Sequence, residues 1–150
     1  MTASSMRLVK DNQTVRFEEH THNLPPPLPD EVTLKVAYAG VCGSDIVRYR
    51  GSAYHYPITI GHEFSGIADA PGQKTDGMRA VVFPVLPCHE CEPCKRGLYA
   101  LCENYDYYGS RRDGAFTTAL NVKKENLLPV PDNVSLREAA MCEPAAVALN

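Results

Sequence analysis

Four cysteines, Cys88, Cys91, Cys94 and Cys102, are packed into the stretch PCHECEPCKRGLYALC at residues 87–102. The gaps between them are two, two and seven residues. Thiolates two residues apart can turn onto one ion, and the short segment KRGLYAL, with Gly97, brings Cys102 back to close the set. Four thiolates with no open position describe a structural, tetrahedral zinc site rather than a catalytic one. Folding is then coupled to metal binding, which contributes on the order of 10–16 kcal/mol in small zinc peptides. The first three spacings also fit an iron–sulfur pattern, but there the fourth cysteine normally comes three residues on and is followed by proline. Here it comes seven residues on and is followed by Glu103. A nucleic-acid zinc ribbon would have well-separated CxxC pairs on a basic surface, and this chain has neither. His89 lies inside the lobe and reads as an exposed loop histidine, because four thiolates already saturate zinc.

A second set of residues is quieter. GVCGSDIVRYRG and PITIGHEFSG place Cys42 and His62 20 residues apart, each beside a glycine and each followed by polar residues. Thiolate plus imidazole suits zinc. A lone cysteine is more often a small buried apolar residue, and that is the expectation for Cys142. The Cys42–His62 pairing gains its weight from the lobe downstream.

The bulk properties narrow the class. The chain has 150 residues, enough for one domain with its own core, and 44% are hydrophobic. A net charge of −3 and a pI near 5.9 argue against nucleic acid or an anionic membrane as partner. No apolar run approaches the roughly 20 residues of a membrane span. The N-terminus MTASSMRLVKDNQ has no apolar signal region, so a cytoplasmic location is expected. In a reducing compartment the six cysteines read as metal thiolates, not disulfides.

The elements that must hold these residues are mostly strands. SMRLVKDNQTVRFEEH predicts two short strands around an Asp-Asn turn, and LPPPLPD a stiff extended connector. In EVTLKVAYAG, Val32, Leu34, Val36 and Tyr38 alternate with Thr33, Lys35 and Ala37, the pattern of a half-buried strand. SDIVRYRG predicts one or two helical turns. HEFSGIADA, MRAVVFP, GAFTTALNV and NLLPVP are further strands. Ser135 followed by Glu138 is a capping-box signature, and Pro144 should end that helix or begin another. The chain stops inside the apolar run AAVALN, from which a continuation in a larger protein is expected.

GVCGSD, GHEFSG, CHECEPCKRGLYALC, DGAF and EPAAVAL occur in the order found in zinc-dependent medium-chain dehydrogenases, and the chain resembles that family throughout its length. Within the family it is most similar to the branch acting on polyols, sugar alcohols and their phosphates. The resemblance implies a mainly β fold with short helices, a GroES-like β-barrel catalytic domain from which the structural zinc lobe projects. It implies a catalytic zinc held by Cys42, His62 and Glu143, with Glu63 beside the metal and able to enter its shell. Ser44 would contact the substrate hydroxyl and pass on its proton, and Asp45 would support the metal shell through His62. The substrate alcohol, once deprotonated, would give hydride to NAD(P). The resemblance also implies a small-molecule polyol partner and a homo-oligomeric full-length enzyme. Arg111 or Arg112 in GSRRDGAF is placed to hold a substrate phosphate, since guanidinium forks match phosphate oxygens. Blander roles exist for each: Ser44 as a helix N-cap, Asp45 as a first-turn acid, Glu143 as a solvated residue at a helix break, and a surface arginine paired with Asp113.

Three features depart from the family pattern. No GxGxxG occurs, and no βαβ pattern to carry one, so the nicotinamide-binding Rossmann half is expected to be absent from these residues and the chain alone to be inactive. DAPGQKTDGMRAVV is several residues short, with Met78 where the family favours Asp. Asn150 stands where many relatives carry His. The rival reading from another class is a non-enzymatic, zinc-binding GroES-like module that binds a partner.

Overall fold

The computed structural model describes residues 1–149, so the expectation attached to Asn150 lies outside the described residues. Two ten-residue strands, β1 (Thr2–Asp11) and β2 (Thr14–Asn23), pair as one antiparallel hairpin in continuous register. Its tight turn relies on Asn12, whose φ of 52° is a conformation that Asn tolerates better than most residues. β1 also pairs with the short β4 (Ile58–Thr59).

A second sheet runs in the order β10 (Leu127–Pro129), β6 (Arg79–Val82), β5 (Phe64–Asp69), β3 (Glu31–Ala39) and β9 (Ala119–Lys123). The two sheets are stitched where Met6 N–H donates to Phe116 O at 2.7 Å and Thr118 N–H to Ser4 O at 2.8 Å. The result is a curled, incompletely closed barrel, mainly β with short helices. Every strand ladder among the described residues is antiparallel, so none of them forms a βαβ nucleotide platform.

The main core gathers Val32, Leu34, Phe64, Val82, Tyr108 and Val122, and a smaller one Leu8, Ile58 and Ile60. Met78 packs against the main core from the short 70–78 turn. β3 departs from simple alternation. Val32, Thr33 and Leu34 are all buried, while Tyr38 is exposed. A bulge between Val36 and Tyr38 shifts the register against β5, which turns Tyr38 to the outer face.

Four short α-helices lie among the described residues: α1 (Gly43–Val47), α2 (Glu92–Lys95), α3 (Leu136–Ala139) and α4 (Cys142–Leu149). α1 continues into a wider turn over Arg48–Ser52. Its N-cap is Cys42, not Ser44. Ser135 caps α3 through the reciprocal box with Glu138, and Pro144 stands in the first turn of α4. Cys142 is exposed, against the expectation of burial, because α4 lies on the surface with none of its residues buried.

Candidate metal centres

The cysteine lobe is a loop whose base is clipped by the two-stranded ribbon of β7 (Val85–Leu86) and β8 (Asp106–Tyr107). Cys91 is the N-cap of α2, and Pro93 occupies its first turn. Gly97, at φ 75°, ends that helix: its N–H donates to Cys94 O and Leu98 N–H donates to Pro93 O, both at 2.9 Å. This glycine-terminated stop reverses the chain and returns Cys102 to the other three thiols.

The four sulfurs lie within 4.8 Å of one another, with Cys88–Cys94 at 4.0 Å and Cys91–Cys102 at 3.9 Å. A tetrahedron of ligands at a Zn–S distance of about 2.3 Å has edges of about 3.8 Å, so the set fits zinc with little movement. None of the four is in a disulfide. Backbone amides of Glu90 and Cys91 hold the Cys88 thiol down to about 6. Burial pushes Cys94 up to about 12. His89 stands outside the sulfur set and meets Glu125 at 3.2 Å.

Cys42, His62 and Glu63 form the second group, with ligand atoms within 4.8 Å of one another. Two stretches of chain bring them together. Cys42 follows the end of β3, and His62 and Glu63 occupy the link between β4 and β5. Gly61, at φ 97°, turns the chain just before His62. The loop is held by the DGAF motif: Gly114 N–H donates to Thr59 O at 2.7 Å, Ala115 N–H to Gly61 O at 2.9 Å, and Thr59 N–H to Asp113 Oδ1 at 2.8 Å. A side chain on Gly114 would collide with the Gly61 carbonyl. A side chain on Gly40 would collide with the Glu63 carboxylate, so Gly40 makes the space that Glu63 fills.

His62 is 4% exposed, Glu63 6% and Asp45 1%. Asp45 Oδ2 accepts from the Cys42 N–H at 3.1 Å, while its Oδ1 faces His62 Nδ1 at 3.7 Å. His62 Nδ1 is buried and makes no hydrogen bond. Buried carboxylates beside a thiol and an imidazole are a donor set that a divalent cation would satisfy, and the residues fit zinc. Asp45 is both a first-turn acid and a neighbour of His62.

Glu143 is not in that group. It lies on the first turn of α4, and its carboxylate sits beside the Tyr107 phenol. Tyr107 packs edge-on against His62, ring centroids 5.5 Å apart. Burial raises the Tyr107 phenol above its ordinary value, and the negative charge of Glu143 adds to the effect. Tyr107, Glu143 and Cys142 line an apolar cleft of about 550 Å³ together with Phe83, Val85 and Val147. Neither Tyr107 nor Arg48, whose Nη1 donates to Ser44 Oγ at 2.7 Å, was picked out from sequence. Arg48 carried a usable signal, its spacing of three and four residues from Asp45 and Ser44 on one helix. Tyr107, one of several tyrosines in YDYY, carried none.

The two arginines diverge. Arg112 is committed to Asp106 at 2.9 Å. Arg111 lies over the rings of Tyr105 and Tyr54, 4.2 and 5.2 Å from their centroids. Tyr105 in turn packs on Tyr107, so Arg111 is one aromatic layer out from the tyrosine that touches His62. Neither arginine pairs with Asp113, which meets Arg7 at 3.9 Å.

The chain belongs to the alcohol dehydrogenase GroES-like domain family, whose profile matches residues 28–132. It is similar to galactitol 1-phosphate 5-dehydrogenase of Escherichia coli K12, 43% identical over 126 residues, which are 81% of this chain and 36% of that protein. The crystal structure of galactitol-1-phosphate dehydrogenase from Escherichia coli superposes on 97% of this chain and 43% of its own, at TM-score 0.85 and 38% identity. That of the alcohol dehydrogenase RspB from E. coli CFT073, complexed with NADH, covers 100% of this chain and 45% of its own, at TM-score 0.86 and 34% identity. A cobalt- and zinc-bound alcohol dehydrogenase from Pyrobaculum aerophilum matches at TM-score 0.80 and 26% identity, over 94% of this chain and 44% of its own. The chain therefore spans less than half the length of these relatives. No helix among the described residues is long and apolar enough to cross a membrane.

Proposed function

We propose that this chain is the metal-bearing catalytic domain of a zinc-dependent dehydrogenase that oxidises a secondary hydroxyl of a polyol or polyol phosphate, with NAD(P) as hydride acceptor on a nucleotide platform these residues do not form. The observation that carries the reading is the contrast between the two thiol sites. The lobe has four sulfurs and no room for a fifth ligand. The Cys42–His62–Glu63 group has three donors in a buried corner, with Ser44 near by and the apolar cleft beginning at Tyr107. The names of the relatives, a galactitol 1-phosphate dehydrogenase and an alcohol dehydrogenase with NADH, support the substrate class and the acceptor.

Zinc at the three-donor group would supply a Lewis acid that lowers the pKa of a hydroxyl brought against it. Cys42, His62 and Glu63 would hold the ion, with Glu143 a second carboxylate beside Tyr107. Asp45 faces the His62 ring nitrogen and sets the direction of that ring. Ser44 Oγ takes the hydroxyl proton and passes it to water. Arg111, free of any carboxylate partner among the described ion pairs, is the arginine assigned to a substrate phosphate; Arg112 is held by Asp106.

Metal content tests the reading. The purified chain is expected to hold two zinc ions, and Cys42→Ser to hold one while keeping the native circular dichroism spectrum. One ion in the native chain, confined to the lobe, would favour the non-enzymatic module instead. With both ions bound, the chain alone is expected to turn over no polyol when NAD is added. For the phosphate, Arg111→Ala is expected to weaken calorimetric binding of a polyol phosphate about tenfold and to leave the free polyol unchanged. Equal losses for both ligands would remove the phosphate assignment.

A further inference from the structure

Arg48 is a residue of the site that the reading above leaves without a task. It follows α1 directly, and its side chain is only 13% exposed. A guanidinium sunk this far needs partners, and the structure supplies two from its own helix. Nη1 donates to Ser44 Oγ at 2.7 Å and reaches Asp45 Oδ1 at 3.5 Å. Residues three and four apart share a helical face, so S-D-x-x-R brings all three to one edge of the metal corner.

The consequences pass through Asp45. This carboxylate has three neighbours: the Cys42 amide at 3.1 Å, Arg48, and His62 Nδ1 at 3.7 Å. An ionised carboxylate 1% exposed is expensive to bury unless a permanent cation accompanies it. Arg48 is that cation, because an arginine keeps its charge at every relevant pH. Held in place by Arg48, the Asp45 carboxylate turns Oδ1 toward His62 Nδ1 at 3.7 Å, and an acceptor on that side favours a proton on that nitrogen and leaves the other free to bind a metal. Ser44 is constrained as well. Arginine only donates, so Ser44 Oγ accepts on that side, directs its own hydrogen elsewhere, and cannot return a proton to Arg48.

We infer that Arg48 is a positioning residue of the metal centre: by pinning Asp45 and Ser44 it fixes the tautomer of His62 and so sets the metal affinity of the Cys42–His62–Glu63 group. This rests on the reading of that group as metal ligands. The bland alternative is an arginine that only steadies α1 through an i,i+3 ion pair.

The test uses the chain with zinc in its lobe and ¹⁵N-labelled histidine. Zinc affinity of the second group is read by chelator competition, and the His62 ring protons by NMR. The native chain is expected to show a slowly exchanging proton on His62 Nδ1. Arg48→Met is expected to lose that signal and to bind the second zinc 10–100-fold more weakly, the usual scale for losing support behind a metal-bound histidine. Arg48→Lys, which keeps the charge but not the fork, should fall in between, with lobe zinc retained throughout. Native affinity and a native ring signal in Arg48→Met would overturn the inference. Should Arg48→Met fail to fold, Arg48→Lys decides: a several-fold loss supports the inference and an unchanged affinity overturns it. If the native chain takes up no second ion, the ligand reading fails. The inference, which rests on that reading, then falls with it, whereas a second ion bound with native affinity by Arg48→Met overturns the inference alone.

Discussion

At the residue scale, two carboxylates compete for one role. Glu63 is adjacent to His62 and occupies the space left open by Gly40, whereas Glu143 reaches in from a surface helix and meets Tyr107. In this domain Glu63→Gln is therefore expected to weaken second-site zinc by about tenfold and Glu143→Gln by much less, as measured by chelator competition. Gly40→Ala should act like Glu63→Gln, because the added methyl displaces the carboxylate rather than any core side chain. The lobe carries a pH dependence of definite sign. Cys88 is held at about 6 against 9.0 for a free thiol, so its thiolate stabilises the folded lobe. That contribution is complete above pH 9 and lost as pH falls through about 6. Cys94, raised to about 12, has the opposite sign: it favours the folded state while protonated, and loses that effect only as pH climbs from 9 toward 12. In the metal-free chain, hydrogen-exchange protection of residues 87–102 should therefore decline from pH 9 to 6, and Cys88→Ser should flatten the decline.

At the scale of elements, the capping box and the glycine loop give separable effects. Ser135 accepts from the Glu138 N–H, and the Glu138 side chain accepts from the Ser135 N–H at 2.9 Å. Losing the cap in Ser135→Ala should cost about 1 kcal/mol in urea unfolding and leave both metal sites intact, since α3 contributes no ligand. Gly114→Ala should cost more, about 3 kcal/mol. Its methyl would meet backbone atoms of Gly61 and Gly109, which cannot rotate away. Because Gly61 precedes His62, this variant should also lower second-site zinc affinity, a coupling absent from Ser135→Ala.

At the scale of the molecule, the two candidate metal groups are joined by a short stretch of chain. The lobe closes on Cys102, and five residues later Tyr107 both pairs with Val85 in the ribbon and packs on His62. Stripping zinc from the lobe should loosen the β7–β8 ribbon. Amides of residues 103–107 should then exchange faster, and Tyr107 should lose its fixed contact with His62. Unchanged exchange there after lobe-selective chelation would mean that the two centres are independent.

By itself the sequence determined the local chemistry. The spacing of Cys88, Cys91, Cys94 and Cys102 demands a closed four-sulfur site because those thiols are near in the chain, so little else can intervene. The Asp-Asn hairpin and the Ser135–Glu138 cap were legible for the same reason: each is decided by neighbours within a few residues. Only the tertiary structure decided which long-range partners meet. It brought Glu63, rather than Glu143, to Cys42 and His62. It put Arg112 on Asp106 and left Arg111 between tyrosines. It exposed Cys142 on α4, and turned Tyr38 outward at a bulge that no alternation pattern encodes. It placed Tyr107 against His62 and Arg48 against Asp45. These outcomes depend on how sheets curl and on which side chains share a buried space, and residue types and spacing along a line do not contain that information.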